Sequence, residues 1–336
     1  MILAAITTCR REPAMVERAV KSVIAQTYTD WNLVVVDDSP NDYEFREDVR
    51  KMVEGYAAKD SRIRYVPHDK NYGAQRARNT ALKIAGNTDG GGGHEFIAYL
   101  DDDDEWLPEK LEKQIARFAE CGDSVGLVYC SLYYVDDDLQ DFRKTAKFSG
   151  MGTEGKVFPT LIEGNFIAML TLIRTKYLIE AGGFDETMPA LQDWEAWLRL
   201  SLCCDFAYVN EPLAIVYKKK GREHVLGSYT RIIKAFENIE DKYKDYLSSN
   251  QASHVRFMKN LLQFYVLNGE YRQFFSVWLK IFHLQPHNKL GSISLIPQTL
   301  RIFMKEKMKS LLFMISPRLF FALKRRQYRK KGDNLI

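Results

Sequence analysis

Phe96-Ile97-Ala98-Tyr99-Leu100-Asp101-Asp102-Asp103-Asp104-Glu105-Trp106 is the stretch on which the fold turns. Five mostly apolar residues run into four consecutive aspartates. The apolar part is short, lacks Gly and Pro, and is rich in aromatic and branched side chains, which predicts a buried strand. Pro108 suits a first helical turn, and Glu109 and Glu112 suit the positive end of a helix dipole. The aspartates therefore fall at the carboxyl end of a strand, where open α/β sheets place their ligands. Crowding like charges there costs energy, and a divalent cation lowers that cost. Mg²⁺ typically takes one or two carboxylates together with substrate phosphates. Taken alone, the run reads more readily as a solvated acidic turn capping a helix, and the rest of the chain reverses that order.

Working outward, the chain alternates. Ile2 to Thr8 reads as a strand, and Pro13 opens a helix whose Val16, Ala19, Val20, Val23 and Ile24 share a face. Trp31 to Val36 is a second strand, ending in Asp37-Asp38-Ser39-Pro40. A charged helix is expected over Tyr43 to Tyr56, a third strand over Arg62 to Val66, and a helix from about Ala74 to Ala85. This alternation predicts a mostly parallel sheet covered on both faces. The glycine run Gly90 to Gly93 precedes a strand, whereas phosphate loops follow one and open a helix. It reads as a connector. Further strands are expected over Val125 to Val135, with a hairpin at Asp136 to Asp138, and over Phe166 to Ile173. Phe206 to Val209 and Leu213 to Tyr217 read as two short strands on either side of Pro212. Gln192 to Leu202 reads as a helix.

The 336 residues are enough for one large domain and a smaller one. Hydrophobic residues make up 46% and charged residues 27%, an ordinary globular composition. A net charge of +4 gives no case for nucleic acid. Five cysteines, an odd number without metal-type spacing, argue against a disulfide framework or a zinc site and suit a reducing, cytoplasmic setting. No basic segment precedes the first apolar run, so no signal peptide is expected. No uninterrupted apolar stretch reaches membrane-spanning length.

Three acidic sites fall at or just after strand ends: Asp37/Asp38, Asp101 to Asp104, and Asp193. In an open sheet such ends converge on one edge. With Ile6-Thr7-Thr8-Cys9-Arg10, Val34-Val35-Val36-Asp37-Asp38-Ser39, Asn71-Tyr72-Gly73 and Ala77-Arg78-Asn79, these sites set a pattern. It continues through Tyr99 to Trp106, Gly182-Gly183-Phe184-Asp185-Glu186 and Gln192-Asp193-Trp194. In order and spacing over about residues 1–220, the chain resembles the family 2 glycosyltransferases of the GT-A fold.

The resemblance implies an inverting transfer of a sugar from a UDP- or GDP-sugar, with Mg²⁺ or Mn²⁺ as cofactor, to a saccharide or lipid-linked saccharide acceptor. It implies roles as well. Thr7, Thr8, Arg10 and Asp38 fall where the family holds its nucleotide, and a carboxylate such as Asp38 accepts a ring N–H. Arg78 falls near the diphosphate, Asp101 or Asp102 at the ribose, and Asp103 at the metal. The four-aspartate run leaves this register open by one. Asp193 matches the catalytic base, with Gln192 where Glu is common. His224 falls in a loop that supplies a further phosphate or metal contact in some relatives. Read without the family, Asp38 is an Asx-turn residue, Arg78 a solvated helix arginine, Asp193 a helix N-cap and His224 an exposed loop histidine. Trp194 and Trp197 are either acceptor wall or core, with core the better reading for Trp197.

The resemblance implies a catalytic domain over 1–225; the residues beyond it, which its motifs do not cover, read by their own pattern as an α-helical region over 226–336. In the latter, helices are expected at Tyr229 to Tyr246, Ser253 to Leu267 and Tyr271 to Phe282. Ile302 to Leu323, followed by a basic tail, reads either as a peripheral membrane contact or as a packed helix with a solvated end. Two other functions are weighed. A sugar-nucleotidyltransferase needs a glycine-rich basic loop after the first strand, and Thr8 to Pro13 contains no glycine. A non-catalytic scaffold has no use for the full set of acidic sites.

Overall fold

The structure is a computed structural model that describes residues 1–86, 93–136, 153–218 and 226–284. The chain begins β1 (Ile2–Thr8), α1 (Pro13–Ile24), β2 (Trp31–Asp37), α2 (Arg46–Ala57), β3 (Ile63–Pro67), α3 (Ala74–Gly86), β4 (Phe96–Asp101). It continues β5 (Glu105–Trp106), α4 (Lys110–Glu120), β6 (Val125–Asp136), α5 (Phe158–Leu161), β7 (Leu172–Arg174), α6 (Thr175–Glu180), α7 (Gln192–Cys203), β8 (Asp205–Lys218). Four helices follow: α8 (Leu226–Lys242), α9 (Lys244–Ser249), α10 (Gln251–Asn268) and α11 (Tyr271–Leu284).

The strands form one mixed sheet in the order β3-β2-β1-β4-β7-β6-β8-β5. β3, β2, β1 and β4 run parallel. β7 is antiparallel to both of its neighbours, while β6 and β8 are parallel. Both faces are covered, which is why the parallel strands read as almost unbroken apolar runs. Ile2, Ala4 and Ile6 of β1 join the core under α1, α2 and α4. Leu3 and Ala5 join the core on the opposite face, with α3 and α7. That second core does not stop at α7. Phe236 of α8 and Phe257, Leu261 and Tyr265 of α10 belong to it, so the C-terminal helices extend the sheet's own core.

Four expectations change. Of the expected strand over Phe166 to Ile173, only Leu172 and Ile173 are strand, within β7. Residues 166–170 are irregular but mostly buried, and a short apolar run cannot tell a strand from other buried chain. Pro212 does not break β8, because the partner strand shifts register opposite it, at Ser131, and absorbs the missing N–H. The helix expected from Pro108 starts at Lys110, since Glu105–Trp106 first pairs with β8. The helix expected over Tyr229 to Tyr246 is divided at Tyr243. The glycine connector, the hairpin at Asp136 to Asp138 and the tail from Ile302 lie outside the described residues, apart from Gly93 and the backbone of Asp136.

Candidate active site

Parallel register brings the carboxyl ends of three strands side by side. Thr7 of β1 stands opposite Val36 of β2 and Asp101 of β4, and Thr8 stands opposite Asp37. The chain turns away from β1 through Arg10, a non-glycine residue at φ 54° whose N–H donates to Ser39 Oγ at 2.9 Å. Such a conformation persists where its surroundings hold it, commonly at functional sites. The other described left-handed non-glycine residue is Leu191, at φ 55°, which is the N-cap of α7. Both mark corners of the same edge.

Asp38 is 2% exposed. Its carboxylate accepts the N–H groups of Tyr72 and Gly73 at 2.8 and 2.7 Å and stands 2.7 Å from His68 Nδ1. A carboxylate offers about four acceptor directions. Asp38 therefore anchors the 68–73 loop first and has little capacity left for a base. Its neighbour Asp37, fully buried, takes the Tyr65 hydroxyl and the Ser39 N–H.

The four aspartates divide. Asp102 and Asp103 face Arg11, whose Nε and Nη2 reach them at 2.8 and 3.0 Å. Burial, working against Arg11, pushes the Asp102 carboxyl up to about 6. Asp101 and Asp104 turn the other way, into a hollow of about 290 Å³ shared with Asp193 and Asn165. Its remaining walls are apolar and include Leu132, Ile167, Met169 and Val216. Burial, together with the charges of Asp101 and Asp103, pushes Asp104 up to about 8, although Tyr217 N–H donates to it at 3.2 Å. Asp104 is the residue that the sequence reading passed over; its only signal was its place in the run.

Asp193 lies in the first turn of α7, where its Oδ1 accepts Trp194 N–H at 2.8 Å. It is not the N-cap; Leu191 is. Burial raises its carboxyl above the usual range. Arg78 of α3 is 6% exposed and donates through Nη2 to Asp101 at 2.9 Å. Its Nε and Nη1 are buried without a hydrogen-bond partner among the described residues. It is thus not a solvated helix arginine. Trp194 and Trp197 are both core residues, Trp194 because Phe236 and Phe257 cover its ring.

Of the expected site residues, then, the structure brings Asp101 and Asp193 to one hollow, with Arg78 bonded to Asp101. Thr7, Thr8, Arg10 and Asp38 lie on the neighbouring strand ends, and Asp102 and Asp103 lie under Arg11. His224 is outside the described residues. Among the described residues no three His, Cys, Asp or Glu side chains form a ready metal cluster.

Comparison with known proteins settles the family. The sequence model described as Glycosyl transferase family 2 matches residues 4–182, more than half of the chain. The chain belongs to glycosyl transferase family 2. This glycosyltransferase is 25% identical over 230 residues to an uncharacterized glycosyltransferase of Methanocaldococcus jannaschii, a match covering 67% of this chain and 73% of that one. It is 40% identical over 185 residues to the Escherichia coli UDP-Glc:alpha-D-GlcNAc-diphosphoundecaprenol beta-1,3-glucosyltransferase WfgD. That match covers 55% of this chain and 64% of WfgD. In fold it is similar to Staphylococcus aureus TarS in complex with UDP-GlcNAc, at a TM-score of 0.53 and 14% identity over 92% of each chain. It is equally similar to a mannosyltransferase of Pyrobaculum calidifontis in complex with GDP-Man and Mn²⁺. There the TM-score is 0.54 and the identity 14%, over 96% of this chain and 86% of that one. The enzyme therefore has the GT-A architecture expected from its sequence.

Proposed function

We propose that this glycosyltransferase moves a sugar from a UDP- or GDP-sugar to an acceptor hydroxyl with inversion at the anomeric carbon. The observation that carries the reading is Arg78. Its guanidinium, two of whose N–H groups have no hydrogen-bond partner among the described residues, bonds to Asp101, which lines a hollow shared with Asp193. Buried donors are normally satisfied. A diphosphate that reached the guanidinium would supply the missing acceptors with charge assistance.

In this reading Asp193 takes the proton of the acceptor hydroxyl as its oxygen bonds to the anomeric carbon. On the opposite face the bond from that carbon to the diphosphate oxygen breaks, and the nucleoside diphosphate leaves. Thr7, Thr8, Arg10 and Asp38 line the nucleotide end, where Asp38 acts mainly by fixing the loop that frames it. Asp101 or Asp102 would meet the ribose; Asp101 lines the hollow, whereas Asp102 is held by Arg11. The chemistry of the donor set suits Mg²⁺ or Mn²⁺, since the carboxylates of the aspartate run offer hard oxygens and the phosphates would supply the rest. Asp103, which is paired with Arg11 in this structure and would have to leave it, would hold the ion with His224, and the ion would supply Lewis-acid stabilisation of the departing charge.

Two finer points belong to the same proposal. The name of WfgD supports a lipid-linked saccharide acceptor, and a role in cell-surface polysaccharide assembly is the reading that suits such an acceptor. From Tyr271 onward the sequence carries fourteen Lys and Arg but only Glu306 and Asp333 as acids, which favours peripheral contact with an anionic membrane surface. No helix among the described residues is long and apolar enough to cross a membrane. A screen of UDP- and GDP-sugars by thermal shift with Mn²⁺, followed by assay of nucleoside diphosphate release, tests the reading. A stabilising donor that is turned over supports it, and release unaffected by Asp193→Asn removes Asp193 as base.

A further inference from the structure

We propose that Asn165 is a positioning residue for Asp193, and that helix α10 holds Asn165 in place. The proposal rests on the reading of Asp193 as the base.

The Asn165 side chain is fixed at both ends. Its Oδ1 accepts Ile167 N–H at 3.0 Å. A backbone N–H can only donate, so that end of the amide is the oxygen and the NH₂ group is the end directed at Asp193. Asn165 Nδ2 stands 3.4 Å from Asp193 Oδ2, while Oδ1 of the same carboxylate is held by Trp194 N–H. Both oxygens are thereby oriented, and both residues line the same hollow. A base oriented by a third group is the usual arrangement where a proton must be taken at a defined angle. An N–H directed at a carboxylate also favours its charged, proton-accepting form.

What holds Asn165 comes from the C-terminal helices. The two residues before it are gripped by α10. Asn260 Nδ2 donates to the Glu163 carbonyl at 2.6 Å, and Ser253 Oγ and Arg256 Nη1 reach Glu163 Oε1 at 2.9 and 2.6 Å. A Cβ on Gly164 would come within 2.9 Å of Asn260 Nδ2, so a side chain there would push the Asn260 amide from its place against Glu163. On the other flank, Trp194 donates to Leu161 O at 2.7 Å and packs on Phe257 of α10. One helix thus braces both the base's neighbour and its partner.

The test uses the full chain and the hydrolysis of UDP-glucose or GDP-mannose with Mn²⁺, whichever the wild-type enzyme turns over. Asn165→Asp keeps the shape and the acceptor for Ile167 N–H, but it replaces the donor to Asp193 with a like charge. The expected result is a kcat lower by on the order of a hundredfold, the effect of a small misplacement of a reacting group. The donor KM and the melting temperature stay near wild type. Asn165→Ala is expected to lose less than Asn165→Asp, and Asn260→Ala to lower kcat but not raise KM. Wild-type turnover by Asn165→Asp, with Asn165→Ala the worse variant, is the signature of a purely structural residue and overturns the proposal. Wild-type kcat in Asn260→Ala overturns the part played by α10. Normal turnover by Asp193→Asn is a different failure, since it removes the base itself; an inactive Asp193→Asn beside an active Asn165→Asp defeats only the positioning role.

Discussion

Arg78 and Asp101 face each other at 2.9 Å across the edge of the sheet, one buried on α3 and the other at the end of β4 with its side chain 39% exposed. Only one of the arginine's three nitrogens is used in that contact; the other two are buried and unpaired among the described residues. The pair therefore leaves hydrogen-bonding capacity on the arginine unused.

Replacing Arg78 with Met removes those donors while roughly keeping the volume. Charge-assisted hydrogen bonds contribute about 1.5–3 kcal/mol each, so affinity for free UDP or GDP should fall by at least about tenfold. Fold stability should change little, because two of the three nitrogens removed are unsatisfied among the described residues and Asp101, the partner of the third, is 39% exposed and can be solvated instead. Isothermal titration of wild type and Arg78→Met with UDP and GDP checks this.

A second cluster ties the C-terminal helices to the catalytic layers. Glu195 of α7 is fully buried and is held by Arg199 at 2.7 Å and by Lys242 of α8 at 2.7 Å; Lys242 also reaches Asp185 at 2.5 Å. Breaking a buried pair is costly, and Arg199 remains to compensate in part. Lys242→Met should cost about 2 kcal/mol in urea unfolding.

The same lysine predicts a pH dependence. Burial alone would raise Asp185, but Lys242 and Thr187 outweigh it and hold the carboxyl down to about 2. A depressed folded-state value means that the stabilisation is present above the unfolded pKa of about 4 and is lost as pH falls toward 2. Lys242→Met should flatten that acid limb.

Lys110 acts at the opposite end of the scale. It is fully buried, donates to Gln114 Oε1 at 2.7 Å and lies over the Trp106 ring. Burial pushes its pKa down to about 8, whereas in the unfolded chain it is about 10.4. Between those values the unfolded state binds more protons, so this group's contribution rises with pH from about 8 to about 10.4. The full swing is about 3 kcal/mol. Chemical unfolding of wild type and Lys110→Met at pH 7.5 and pH 10 should show the difference moving in favour of wild type as pH rises. A difference that stays constant contradicts it.

Much of this was written in the chain. The apolar runs at Ile2, Trp31 and Phe96 name buried parallel strands because both faces of the sheet are covered. Asp101 and Asp193 could be placed on one edge because strand ends converge. The division within Asp101 to Asp104 could not be read, since it depends on Arg11, distant in sequence, pulling two carboxylates one way and leaving two facing the hollow. The anchoring role of Asp38 was hidden for a similar reason: its partners, Tyr72 and Gly73, act through backbone N–H groups, which carry no side-chain signal. Asn165 gave no warning, because nothing in its neighbours announces that α10 grips Glu163. The irregular course of residues 166–170 was equally invisible, as burial there comes from helices rather than from a ladder.

The most direct measurement is turnover and donor binding by Asp193→Asn beside wild type, using the donor that a UDP- and GDP-sugar screen selects. Transfer should fall by at least about a thousandfold, within the range that a positioned general base contributes, while the dissociation constant for that donor stays within about threefold. Near-normal transfer by Asp193→Asn would contradict a catalytic base at the start of α7.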